Sequence, residues 1–591
     1  MPVSLPPDAM LQPPDWSGRL APRRAVAKMA TYHPPLEGRR GKTRLDFNEN
    51  TVGFPGALSP LATELITAYP EYGALTTALA RQWGIPEAML LLTNGSDEAL
   101  CVAASTFVEP GESTALCVTP TFPMIPHYLK LADSHLTQVP MTRALTYDLD
   151  AISEALKEFE PTIAVFASPD NPTGALLAPE HVSAWCAAHP QTAFVLDEAY
   201  YPYATQTVLP LISRFENLMV TRTFSKAWGL AGLRLGVLIA HPEIIAWMKR
   251  VRSPYSVNTL AVETALRLIP DEATVLREAA ATMGRKAHVV SAVCERGYHV
   301  LAGHGNFFLM QAGLDAEALC DFCAERGVLL RNRSAGQDPE APMFGLVRVT
   351  VGTDTENEQL LSCLDAFRQS RVLMFDLDGT LVDTTRSFDT TIATLVEKYA
   401  GKPLAADELR ALRAEGGFND DWDATLELLK RRGVEKTYAD IQDEATALYL
   451  TLAKAHETWL VDPAVLKQLA RRYRMAVATG RTRNEYDPVW RDALDPLLER
   501  VTCQDDDPAA GRKPSPDMLV NTMRHLGVTG GIYVGNAVDD AHAALAAGLT
   551  AVAVATTHTA DLLRQAGAAW VLPKTGDLPA YFGLNALDAV Q

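Results

Sequence analysis

The feature that most constrains this chain is a repeated alternation of short apolar runs with helix-like segments. Thr114-Ala115-Leu116-Cys117-Val118, Ile163-Ala164-Val165-Phe166-Ala167 and Ala193-Phe194-Val195-Leu196 are examples. Runs of this kind predict parallel sheets covered by helices. Near residue 370 the pattern starts again. An amphipathic segment over 356–369 gives way at once to Val372-Leu373-Met374-Phe375. A chain of 591 residues exceeds what one hydrophobic core can hold, so two or three domains are expected, and the restart near 370 divides the chain into 41–370 and 371–591.

Other segments fill in the organisation. Residues 385–465 are rich in helix formers and poor in strands, which predicts a helical insertion, a cap, in the second unit. Strand runs return at 475–478 and 531–534. Residues 1–40 read as a Pro-rich leader without the basic and apolar blocks of a secretion signal. The net charge of −18 disfavours nucleic acid and anionic membrane as partners, and no apolar run is long enough to cross a bilayer. Eight scattered cysteines suit a reduced, cytoplasmic protein. Cys320 and Cys323 form one C-x-x-C inside a helix-like stretch without further ligands nearby, so they are expected to be two buried thiols.

In the first unit, Lys226 lies in Thr223-Phe224-Ser225-Lys226-Ala227-Trp228-Gly229, with Arg234 eight residues on. A lysine so placed can condense with an aldehyde cofactor if its pKa is depressed, and Thr223, Ser225 and Arg234 can hold a phosphate. Alone, the segment is better read as a surface lysine beside a capped helix. Upstream, Leu196-Asp197-Glu198-Ala199-Tyr200 ends an apolar strand with a carboxylate able to pair with a pyridinium nitrogen. A phenol follows that can reach the ring oxygen. Ser168-Pro169-Asp170-Asn171-Pro172-Thr173-Gly174 is a turn. Thr93-Asn94-Gly95-Ser96-Asp97-Glu98 is expected to open a helix, with Ser96 facing a phosphate or serving as the cap.

Together with Asn48-Glu49-Asn50, Tyr69-Pro70-Glu71 and Val347-Arg348-Val349-Thr350-Val351-Gly352-Thr353, these segments resemble fold-type I pyridoxal-phosphate (PLP) aminotransferases over about 45–365. The histidinol-phosphate aminotransferase family is the best match. The resemblance implies a large, mostly parallel sheet domain plus a small domain, and a homodimer. Lys226 would carry the cofactor and move the proton on the substrate. Asp197 would pair with the pyridine nitrogen, Tyr200 and Asn171 would hold the ring oxygen, and Phe122 would stack on the ring. Ser96, Asp97, Thr223, Ser225 and Arg234 would form the phosphate cup, and Tyr69 would reach the neighbouring subunit's cofactor. Arg331 and Arg348 would bind substrate anions, either the phosphate of the substrate or the carboxylates of a glutamate-like donor. A PLP decarboxylase similar to threonine-phosphate decarboxylase and a PLP-binding regulator share the scaffold. The acidic charge and the lack of a helix-turn-helix block ahead of the domain count against the regulator.

The second unit opens on Phe375-Asp376-Leu377-Asp378-Gly379-Thr380. Two carboxylates at a strand end can share a Mg²⁺, one attacking phosphorus and the other handling protons. This motif resembles the haloacid dehalogenase superfamily in its phosphatase form, a Rossmann-like domain with a cap. The resemblance implies Asp376 as nucleophile, Asp378 as acid/base, Thr479 of Ala478-Thr479-Gly480-Arg481 on the phosphoryl oxygen, and Lys513 as the offsetting cation. The metal set would be Asp376, Asp378, Asn536 and Asp540. Asn536 departs from the family, where an Asp is usual, and removes one negative charge. A polar break at 415–422 is either a specificity loop or an interhelical turn. The pair of sites suggests transamination of imidazole-acetol phosphate followed by hydrolysis of histidinol phosphate. The alternatives are another amino-alcohol phosphate and a second unit that only binds phosphate.

Overall fold

The computed structural model describes residues 41–50, 68–204, 206–334, 338–415 and 421–584. The leader over 1–40 and most of the polar break, 416–420, lie outside the described residues. The first unit is built on a seven-stranded sheet with a smaller four-stranded sheet, and the second is a Rossmann-like domain carrying helices between its strands.

Seven strands make the large sheet, in the order Leu90–Thr93, Gly236–Ile239, Leu218–Thr223, Ala193–Asp197, Ile163–Ala167, Thr114–Thr119, His135–Pro140. Only Gly236–Ile239 runs antiparallel to its neighbours. Successive side chains of each strand point to opposite faces, and both faces are apolar here. Leu116, Phe166, Phe194 and Val220 pack into one core, while Ala115, Val165, Val195 and Met219 pack into another. Truncating a fully buried ring such as Phe166 to alanine costs about 3–5 kcal/mol.

A smaller antiparallel sheet follows, Arg331–Asn332, Leu346–Thr350, Phe307–Gln311, His299–Leu301. It is covered by helices Ala316–Glu325 and Asp354–Ser370, which share its core. Helix Asp354–Ser370 starts in a Thr353/Glu356 capping box, which satisfies two orphan N–H groups at once. Cys323 is buried on helix Ala316–Glu325, but Cys320 is only half-buried, which corrects the expectation of two buried thiols. No described helix is long and apolar enough to cross a membrane.

Strand Arg371–Phe375 follows helix Asp354–Ser370 directly and becomes an interior strand of a six-stranded parallel sheet. Helices Phe388–Ala400, Ala406–Ala414, Asp421–Arg431 and Tyr438–His456 form the cap. Its two connections to the core pair as short antiparallel strands, Val382–Asp383 with Thr458–Trp459.

The small sheet is packed onto the second unit. Buried Arg472 donates to the carbonyl oxygen of Ala312 at 2.8 Å and to that of Phe582, and its guanidinium lies over the Tyr298 ring. The Phe344 ring meets Trp570 and Tyr581 edge-on. Gly313, at φ +62°, must be glycine, because an added Cβ would sit 2.6 Å from the backbone of Tyr581 and Phe582.

Two candidate active sites

Both sites lie where the sheets point their strand C-termini, the usual place for ligands in open α/β sheets. In the first unit, Asp197 is the last residue of its strand, and Lys226 follows strand Leu218–Thr223 in a turn. One cavity is lined by Ser96, Asp97, Phe122, Asn171, Asp197, Tyr200, Thr223, Ser225, Lys226 and Arg234. The turn, the helix start and the strand ends therefore bring together every residue expected to touch a cofactor within one subunit.

Lys226 Nζ donates to the carbonyl oxygen of Phe47 at 2.9 Å. Burial, helped by the nearby Arg348 cation, pulls its ammonium down to about 8, toward the neutral amine that nucleophilic attack requires. Asp197 is buried and accepts from the Thr221 hydroxyl at 2.7 Å. Burial pushes its carboxyl up to about 7, a cost that a cationic ring nitrogen would offset. The Tyr200 hydroxyl accepts from Asn48 Nδ2 at 2.8 Å.

At the phosphate end, helix Gly95–Phe107 starts without a side-chain cap. Ser96 is thus inside the first turn and does not serve as the cap. Arg234 Nη1 reaches Ser225 Oγ at 3.3 Å, and Thr223 Oγ1 donates to Ser225 Oγ at 3.0 Å. The Asp97 carboxylate pairs with Arg234 at 2.8 Å. Its side chain aims the arginine, and Asp97 lines the same cavity from the first turn of the helix. Gly95 gives way to that arginine: a Cβ there would lie 2.5 Å from Arg234 Nη2. Amine, buried carboxyl, phenol and cationic cup together fit PLP.

Asn171 lines the cavity, and its amide oxygen accepts from Arg348, which leaves its amide nitrogen free to donate toward the ring site. Buried Arg348 also donates to the carbonyl oxygen of Asp46, and its Nε has no hydrogen-bond partner. Burial pulls its guanidinium down to about 10, with Arg333 and Arg331 adding repulsion. A buried cation whose acceptors are only carbonyl oxygens carries a charge that an anion would offset. Arg331 pairs in register with Arg348 on the next strand, over the Phe47 ring. Tyr69 is 74% exposed and stacked on Tyr255 outside this cavity. Asn48, which fixes Tyr200, lies in a motif to which the sequence assigns no role.

The second site opens around Asp376, Asp378, Arg413, Asp421, Trp422, Arg481, Lys513, Asn536 and Asp540. Asp376 follows the central strand, and its N–H donates to the carbonyl oxygen of Val534. Lys513 Nζ donates to Asp376 at 2.6 Å and to Asp540 at 2.7 Å. Burial opposes the charge on Lys513, yet the two carboxylates hold its ammonium well above the ordinary range. For Asp376 the direction is upward: burial raises it, and Asp540 and Asp378 add to this against the pull of Lys513. Thr479 ends its strand fully buried, and its hydroxyl accepts from the Arg481 N–H.

The expected metal set is differently employed. Asp540 accepts from Lys513 on one oxygen and from the N–H groups of Asn536 and Ala537 on the other. Asp378 accepts a forked pair of bonds from Arg481, at 2.9 Å and 2.5 Å. Both carboxylates nevertheless line one cavity with Asp376 and Asn536. Asn536 Nδ2 donates to Thr557, and its Oδ1 has only a 3.3 Å contact with the Thr380 hydroxyl. Among the described residues no group of three His, Cys, Asp or Glu side chains is arranged to hold a metal.

The cap supplies Phe388, Arg413, Asp421 and Trp422 to this cavity. Asp421 and Trp422, the described end of the polar break, thus border the site. Burial raises the Asp421 carboxyl to about 7 although Arg413 pairs with it at 2.7 Å.

A family model for aminotransferase class I and II matches residues 57–364. The chain belongs to this aminotransferase family. A model for haloacid dehalogenase-like hydrolases matches residues 371–548, so the aminotransferase is joined to a hydrolase domain. Over 359 residues the aminotransferase is 36% identical to histidinol-phosphate aminotransferase 2 of Burkholderia pseudomallei, covering 58% of this chain and 96% of that one. It is 35% identical over 370 residues to histidinol-phosphate aminotransferase 1 of Ralstonia nicotianae, covering 60% and 96%. In fold it resembles the histidinol-phosphate aminotransferase of Sinorhizobium meliloti solved with pyridoxal-5'-phosphate. The TM-score is 0.53 at 24% identity, over 59% of this chain and 97% of that one. These relatives correspond to the aminotransferase half, and each chain is spanned almost completely.

Proposed function

We propose that the two halves carry out consecutive reactions on one phosphorylated small molecule. The aminotransferase half moves an amino group from a glutamate-like donor to a phosphorylated keto compound, with imidazole-acetol phosphate the best match, giving histidinol phosphate. The hydrolase half releases the phosphate, giving histidinol. The observation that carries the first reaction is Lys226, drawn toward neutrality, in one pocket with Asp197 and beside the buried cation Arg348. The names and identities of the relatives support the substrate class.

PLP, when bound, supplies the electron sink for this chemistry. Lys226 would be its attachment point, Asp197 would face its ring nitrogen, Tyr200 and Asn171 its ring oxygen and Phe122 its ring. Ser96, Asp97, Thr223, Ser225 and Arg234 would form the cup for its phosphate, with the Asp97 carboxylate aiming Arg234. Lys226 Nζ moves the proton at the substrate's amine-bearing carbon. Arg348, with Arg331 beside it, binds the phosphate or carboxylate through forked hydrogen bonds. A homodimer through this half accords with exposed Tyr69 and Tyr255, and a cytoplasmic location with eight free cysteines.

In the hydrolase half, an Asp376 oxygen attacks phosphorus as the ester oxygen leaves and takes a proton from Asp378. A water then gives a proton back to Asp378 and attacks the same phosphorus, which frees phosphate and restores Asp376. Lys513 offsets the charge and Thr479 faces a phosphoryl oxygen. Mg²⁺ is the cation this family resemblance implies. Asp376, Asp378, Asn536 and Asp540 would hold it, and no step above depends on it.

The test is to offer imidazole-acetol phosphate, glutamate, PLP and Mg²⁺ to the full chain. Histidinol plus phosphate is the predicted outcome. Histidinol phosphate alone would restrict the reading to the first half, and no product would reject the substrate.

A further inference from the structure

Arg481 is among the most deeply buried side chains of the hydrolase half, with a side chain 1% exposed, yet it lines the cavity that holds Asp376. Every nitrogen of its guanidinium already has a protein acceptor. Nε and Nη2 grip Asp378, Nη2 also reaches both oxygens of Glu457 at 3.1 Å, and Nη1 donates to the Tyr449 hydroxyl. It is therefore not a free cation waiting for phosphate. Lys513 serves that need.

The partners of Arg481 come from both sides of the site. Asp378 belongs to the core. Tyr449 is on cap helix Tyr438–His456, and the Phe388 ring, on cap helix Phe388–Ala400, lies 5.2 Å from the guanidinium. Glu457 marks the end of the cap. It accepts from Ser387, at the cap's beginning, at 2.7 Å and from Trp490 of the core at 2.6 Å. One buried network thus joins both connections of the cap, two cap rings and the carboxylate assigned to proton transfer.

We propose that Arg481 is a positioning residue that places Asp378 against the leaving oxygen only while the cap is docked. This rests on the phosphatase reading given above. The role follows from the partners. With Tyr449 and Phe388 in place, the guanidinium has one orientation and the forked bond fixes the Asp378 carboxyl. With the cap displaced, Arg481 keeps Glu457 but loses the wall that orients it.

Leaving-group chemistry tests this. An alkyl phosphomonoester needs its departing oxygen protonated, whereas a 4-nitrophenyl ester leaves as a stable anion and needs little help. The full chain is compared with Arg481→Lys, Tyr449→Phe and the paired variant Arg481→Met/Glu457→Gln, which removes cation and anion together. The readout is the ratio of kcat for histidinol phosphate to kcat for 4-nitrophenyl phosphate. The ratio is expected to fall roughly 100-fold in the paired variant, the lower end of what a general acid contributes. Tyr449→Phe should show a smaller fall in the same direction, and Arg481→Lys a partial recovery. Equal losses on both esters in all three proteins would mean a merely structural arginine and overturn the proposal, as would an unchanged ratio. Wild-type protein inert toward both esters would instead overturn the phosphatase reading, and the proposal with it.

Discussion

The Tyr473 hydroxyl of the hydrolase half donates to the Asp315 carboxylate of the aminotransferase half at 2.6 Å, in a buried site. Arg371 reaches the other oxygen of Asp315 at 3.2 Å. Burial and the neighbouring Asp315 charge hold the Tyr473 phenol protonated well above its ordinary range, so it stays a donor. The halves are consequently joined by bonds that neither can satisfy alone. Tyr473→Phe should leave a buried carboxylate oxygen without its donor and cost about 1–3 kcal/mol. Denaturant unfolding followed separately through cofactor absorbance and hydrolase activity checks this. Both transitions should move together. A shift in the hydrolase signal alone would show that the contact does not join the two folds.

Lys226 gives a pH signature. Its folded-state pKa, about 8, lies below that of an ordinary lysine, so the neutral amine appears at lower pH than in a free peptide. The rate at which cofactor-free protein captures PLP should climb with pH and level off above about 8. Stopped-flow absorbance across that range measures it. A climb continuing to about 10, where an ordinary lysine titrates, would mean that burial does not act on this amine.

Arg348 should govern affinity for the anionic substrate. Arg348→Gln removes a charge-assisted pair worth about 1.5–3 kcal/mol, which corresponds to a KM rise of roughly 10- to 100-fold. Asn171 and the Asp46 carbonyl lose only a donor, so PLP should still bind. Steady-state transamination and cofactor titration separate the two effects. Lost cofactor with an unchanged KM would contradict the role.

Asn536 bears on the metal. Its neighbours Asp378 and Asp540 are held by Arg481 and Lys513, so an added carboxylate has unusual leverage. Asn536→Asp should tighten Mg²⁺ by about 10-fold or more, read by calorimetry independently of activity. Unchanged affinity would sink the idea that this amide weakens a cation site.

Legibility in the sequence followed locality. Lys226, Asp197 and Asp376 announce themselves because their chemistry is set by short motifs at strand ends, and the sheets that present them are continuous apolar runs. The network around Arg481 was not legible. Its partners Asp378, Tyr449 and Glu457 lie 103, 32 and 24 residues away, and nothing in Thr479-Gly480-Arg481 says which carboxylate it will grip. The same holds for Asn48, which meets Tyr200 across 152 residues. The side-chain partner of Asp97 was not legible either: a helix start suits a phosphate through its N–H groups, while the carboxylate beside them pairs with the cation, Arg234.

The most direct test of two sites acting in order uses two full-length variants, each supplied with imidazole-acetol phosphate, glutamate and PLP. Asp376→Asn should accumulate histidinol phosphate and release no inorganic phosphate. Lys226→Ala should form neither product, yet release phosphate from added histidinol phosphate. Mixing the two proteins should restore histidinol. Phosphate release by Asp376→Asn, or transamination by Lys226→Ala, would contradict the account.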